Sequence, residues 1–150
     1  MYEPKLLINY GAIAVAALAY FFIGWLWYSM FLFGKAWAKE LKLPADFKPT
    51  PAAMVKSMLL MLAGCFLTSY VLTHAIQVWR PSVWGVTGVE DGPSYLYGIM
   101  AAGFTWVGYY LPLHLNGVAF EQKSWKLFGI NAGYHFVALQ AVGQILAHWR

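Results

Sequence analysis

Charge is what this sequence has least of. Only 11% of its 150 residues are Asp, Glu, Lys or Arg, against about 25% in a soluble domain, so most of its surface is not built to face water. Carboxylates are the scarcer sign: Glu3, Glu40, Asp46, Glu90, Asp91 and Glu121 are the full set. All lie at the ends of apolar runs or between them. That placement argues against a paired-carboxylate hydrolase inside a bilayer and against an acidic intramembrane proton relay. Cysteine is nearly absent too. Cys65 alone allows no intrachain disulfide, and its place inside an apolar run suits a buried small hydrophobe. Nucleophile elbows, phosphate-cradling glycine loops and dinucleotide fingerprints are missing.

Long apolar runs are abundant instead. Leu6 to Phe33 is uncharged throughout, and about 20 such residues cross a hydrocarbon core of about 30 Å. Ala17-Leu18-Ala19 has the form of a signal cleavage site, but the run continues well past the usual h-region, so a retained helix is expected. Three more runs follow. The expectation is a single all-α domain over residues 1–150, a polytopic four-helix bundle with transmembrane helices at about 6–33, 51–79, 95–120 and 125–149. Trp25, Trp27, Tyr28 and Trp37 fit an interfacial aromatic belt. Between the first two helices, residues 35–43 suit a short surface helix or a plain linker. Thr50-Pro51 is a helix start signal, and Pro112 predicts a kink at the Gly108 carbonyl.

The basic residues are unevenly shared. Lys35, Lys39, Lys42, Lys48, Lys56, Lys123 and Lys126 fall on one side, and Lys5, Arg80 and Arg150 on the other. The positive-inside rule then places both termini outside the cytoplasm and both basic connections inside it. On this reading the net charge of +4 reflects topology, and no nucleic acid partner is expected.

Candidate polar positions are few. On the first helix, Asn9, Ala12, Ala16, Tyr20, Gly24 and Trp27 share a face, with Asn9 expected to meet another helix. Reflecting the third and fourth helices about the turn at Gln122 and Lys123 places His114 level with Asn131. His135 follows one turn later on the same face. Asn9, His114, Asn131 and His135 are therefore read as a polar intramembrane site or as helix contacts. The opposite face of the last helix carries Gly129, Gly133, Gln140 and Gln144, a candidate oligomer face with a Gly-x-x-x-Gly pair. Either that helix is central or its second face meets another subunit. His74 and His148 pair poorly in depth, so no metal or other cofactor is expected.

Several stretches also resemble domain-of-unknown-function family 1761. They include Trp27-Tyr28, Phe33-Gly34-Lys35 and Trp37 near the start. Later come Trp106-Val107-Gly108-Tyr109, Pro112, Trp125-Lys126-Leu127-Phe128, Ile130 to His135 and Gly143. Ser29-Met30 and Gly108-Tyr109 depart slightly from the pattern. The resemblance implies a small bacterial membrane protein with four helices and brings no activity. The expected role is a non-catalytic packed subunit or homo-oligomer, partnered by the lipid bilayer and by its own copies or another membrane protein. The alternative is a small-solute or proton pathway through an oligomer, lined by His114, Asn131 and His135.

Overall fold

The computed structural model describes residues 4–44 and 46–149; Glu3 and Arg150 of the charge count lie outside them. The described residues are helical, with no strand among them. Helix α1 covers Tyr10–Trp27, shorter at both ends than its apolar run. Asn9 sets the start: its backbone is extended and its side-chain oxygen accepts from the Ala12 amide at 3.0 Å. At the other end the chain doubles back, with the Phe33 amide donating to the Trp27 carbonyl and the Gly34 amide to that of Ser29. Gly34 is required in this turn, because a Cβ there would stand 2.4 Å from the Tyr28 carbonyl oxygen. Apolar composition alone does not sustain a helix through such a fold.

The short helix α2, Gly34–Glu40, follows. Thr50 then caps the Ala53 amide, Pro51 takes the first position, and α3 runs Pro51–Val78. A 3-10 turn at Pro81–Trp84 ends in Gly85, with φ of +63°. The third long segment is composite: α4 over Ser94–Thr105, a π-helical turn over Trp106–Tyr110, and α5 over Leu111–Glu121. Pro112 explains the break. It offers no amide to the Gly108 carbonyl, and its ring crowds that oxygen. The helix widens to i→i+5 bonding just before it, with the Leu111 amide reaching the Trp106 carbonyl. A tight turn with Gln122 left-handed at φ +57° leads to Ser124, which caps the Leu127 amide at the start of α6, Trp125–His148.

Helix α6 is central. It packs on α1, α3, α4 and α5. Its buried residues are mostly small or aliphatic: Ala132, Ala138, Leu139, Val142, Gly143, Leu146 and Ala147. On α1 the buried set includes Ala12, Ala16, Tyr20 and Gly24, the face expected from spacing. At the α4–α6 crossing the backbones nearly touch. A Cβ on Gly98 would lie 2.7 Å from the Gly143 oxygen, and one on Gly143 would lie 2.6 Å from the Gly98 oxygen.

Both ends of the bundle are tied by polar contacts. At one end Glu40 accepts from the Ser124 hydroxyl at 2.6 Å and pairs with Lys126 at 3.6 Å, bringing the two lysine-rich connections together. At the other, the Gln77 side chain bonds both the amide and the carbonyl of Leu7. Two helices, Tyr10–Trp27 and Pro51–Val78, are long and apolar enough to cross a membrane.

Candidate functional site

One cluster of polar and aromatic side chains gathers where α1, the π turn, α5 and α6 meet. The hydroxyl of Tyr20 and Nδ1 of His135 are hydrogen-bonded at 2.6 Å. The His135 ring stacks on that of His114, with centroids 5.2 Å apart and planes 22° from parallel. On its other sides lie the rings of Tyr110 at 4.3 Å and Tyr134 at 4.6 Å. One turn of α6 away, the Tyr28 hydroxyl donates to Oδ1 of Asn131 at 2.9 Å. Two indoles bind carbonyls of the same helix: Trp27 donates to Ile130 at 3.0 Å and Trp106 to Ala132 at 2.8 Å. The π turn matters here because it carries Trp106 and Tyr110 at its two ends.

Two clefts open beside this cluster. One, of roughly 300 Å³, is lined by His114, Gly117, Lys123 and Asn131 among others and sits against the basic turn. The Nε2 atom of His114 is buried and has no hydrogen-bond partner among the described residues. Lys123 itself pairs with Glu121 at 2.6 Å. The second cleft, roughly 320 Å³, lies on the α3 side and is lined by Tyr20, Cys65, Thr68, Tyr110, Tyr134 and His135 among others. Toward the opposite end the interior turns apolar. Ile13, Leu72, Ile76, Leu139 and Val142 are all about 1% exposed or less.

The predicted residues are thus only partly brought together. His114 and Asn131 line one cleft and His114 stacks on His135, as the reflection about the turn expects. Asn9 does not join them. It caps its own helix, a use that its position just before the first helical residue allows. The four residues assigned to an oligomer face also separate. Gly133 lies against the Trp27 ring and Gln144 donates to the Tyr95 carbonyl at 3.2 Å, both within the chain. Gln140 is half-buried, and Gly129 faces open space. What spacing missed are the hydroxyls of Tyr20, Tyr28, Tyr110 and Tyr134. A buried tyrosine usually finds a hydrogen-bond partner.

A second polar knot lies at the far end and was not foreseen. Arg80 is 1% exposed. Its Nη2 donates to the Ala147 carbonyl at 2.7 Å, its Nη1 lies 3.6 Å from Asp91, and its guanidinium sits 4.7 Å over the Tyr97 ring. Asp91 in turn accepts from the Ser82 amide and hydroxyl. Arg80 therefore binds the α3 end, the following loop, α4 and the last turn of α6 to one another.

A family model described as protein of unknown function (DUF1761) matches residues 11–147. No curated protein and no solved structure matches the chain.

Proposed function

The chain belongs to the DUF1761 family of proteins of unknown function, and from that premise we propose that it is a non-catalytic integral membrane protein. In this reading four helical segments cross a bacterial inner membrane: Tyr10–Trp27, Pro51–Val78, the composite 94–121, and Trp125–His148. The accessible surface of 9729 Å² supports it, since a compact soluble monomer of this length exposes roughly 7,700 Å². In Tyr10–Trp27 and Pro51–Val78 only 33% and 28% of the residues in the most apolar 18-residue stretch are buried, unlike core helices of soluble proteins. Their outward residues include Phe22, Leu59, Leu60, Leu67 and Val71. The composite segment is interrupted at Pro112, and α6 carries Asn131, His135, Gln140 and Gln144, which lowers the apolar signal of both. The lysine-rich connections share one end of the bundle, and the positive-inside rule assigns that end to the cytoplasm.

The observation that carries the functional reading is the use made of α6. His135, Asn131 and the carbonyls of Ile130 and Ala132 are each bonded to another helical segment of the same chain. Such contacts contribute about 0.6 kcal/mol each in a bilayer, and they fix one arrangement of helices. The protein then acts as a packed subunit, through copies of itself or a membrane partner. A second reading, a small-solute or proton pathway in an oligomer, is favoured by the unpartnered Nε2 of His114 beside the cleft at the basic turn. Proteoliposomes separate them. With His114→Ala, helix glue predicts a lower melting temperature and unchanged proton or solute flux. A flux lost at unchanged stability overturns the packed-subunit reading.

A further inference from the structure

The cleft on the α3 side does not end at the tyrosines. It shares Thr68 and Tyr110 with a larger apolar groove of roughly 510 Å³ between α3 and the π turn, lined by Leu67, Val71, Thr105, Tyr109 and Leu113 among others. If α3 crosses the bilayer as proposed above, this groove opens to lipid and its inner end is polar. We propose that it binds an isoprenoid-type quinone, with the tail in the groove and the ring in the tyrosine cleft.

Three observations select this occupant. First, no Lys, Arg, Asp or Glu lines either part, so an ionised head would enter without a countercharge, at high cost in a low-dielectric site. A neutral head is required. Second, the Thr68 and Tyr110 hydroxyls are bonded to each other at 3.0 Å. This pair places hydroxyl donors at the junction of cleft and groove, where an acceptor such as a ring carbonyl could take one of them. Third, the cleft is lined by aromatic rings, those of Tyr20, Tyr28, Tyr110 and Tyr134, which suits a planar ring. The floor has room, because a Cβ on Gly64 would meet nothing within 4 Å. A volume of roughly 320 Å³ lies at the lower edge of small-ligand sites. The π turn contributes directly. It ends at Tyr110, and such turns are frequent at functional sites.

The test uses the full chain in phosphatidylcholine nanodiscs, titrated with decylubiquinone and read by quenching of intrinsic fluorescence. An alkaline carbonate wash of the source membranes comes first. Release of the chain by that wash overturns the membrane reading, and the proposal falls with it for that separate reason. With the chain retained, the expected result is saturable quenching. Thr68→Val with Tyr110→Phe weakens it about tenfold, and Gly64→Leu abolishes the saturable part at an unchanged melting temperature. Equal, unsaturable quenching in wild type and Gly64→Leu overturns the proposal. So does a disulfide between copies of Gly64→Cys, in a Cys65→Ser background, that forms regardless of added quinone. That result gives the groove to a second copy of the chain.

Discussion

Placing a methyl group at the α4–α6 crossing is the most direct perturbation of this bundle. In Gly98→Ala the new Cβ would stand 2.7 Å from the Gly143 carbonyl oxygen and 2.8 Å from Nε2 of Gln144. Ordinary contact begins at 3.4 Å, so the two backbones are about 0.7 Å too close. The glutamine can swing away, but a helix carbonyl cannot. The helices must part, and the small residues beside the crossing, Ala101, Ala102, Val142 and Gly143, lose contacts along with them. Overpacking of this kind costs about 1–3 kcal/mol. Replacing glycine by alanine inside a helix returns up to about 1 kcal/mol. The net loss expected is up to about 2 kcal/mol, or up to roughly 8 °C in melting temperature for a chain of this size. Gly103→Ala is the control, since it lies on the same helix with nothing within 4 Å of its Cβ, and it should be neutral or slightly stabilising. Gly98→Ala combined with Gly143→Ala should cost less than the two singles together, because one separation relieves both clashes. Circular dichroism melts in one detergent compare the four variants with wild type. Equal midpoints for Gly98→Ala and Gly103→Ala would refute the close crossing.

Three further outcomes are expected. Asp91→Ala removes the ion pair to a buried guanidinium and two bonds to Ser82; loss of one partner of a buried pair costs about 3 kcal/mol, read as a lower midpoint in the same melts. Glu40 is held below its ordinary value by the Ser124 hydroxyl and then by Lys126. Its folded-state pKa is depressed, so its contribution is complete above the ordinary carboxylate range and lost as pH falls through the folded value. The melting temperature should therefore drop on acidification below about pH 5, and Glu40→Gln should flatten that part of the profile. Tyr20→Phe deletes the hydroxyl bonded to His135 and should cost about 0.6–1.7 kcal/mol, while His135→Ala should cost more because the stacked His114 ring loses its neighbour.

How far the sequence carried the fold depends on the element. Helix class, the Thr50-Pro51 start, the Ser124 cap and the disturbance at Pro112 rest on local backbone chemistry and were legible. The level shared by His114 and Asn131 was legible because the turn between their helices is short. The end of α1 was not. Uniform hydrophobicity hides the turn at 28–33, which depends on a glycine packed against a carbonyl of its own chain. Arg80 was read as a loop charge because nothing local indicates that Tyr97, Asp91 and the Ala147 carbonyl converge on it. The tyrosine hydroxyls were missed for the same reason. Their partners lie far off in sequence, 115 positions away for Tyr20 and His135.

These long-range bonds divide the interior into two halves with different physics. Toward the Arg80 end, small and aliphatic side chains bring backbones together, and the Gly98–Gly143 crossing leaves no room for water. Toward the lysine-rich end lie the π turn and four tyrosines, and both clefts open beside them. A path crossing one copy would have to pass the sealed half, whose largest side chains are buried to about 1% exposure or less. On the reading proposed above, the polar half would hold a molecule rather than conduct one. Conduction would require a boundary between copies, whereas a ligand entering sideways from lipid requires only the groove beside α3. Gly64→Leu tests that difference, because it adds bulk to the tyrosine cleft at the inner end of the groove.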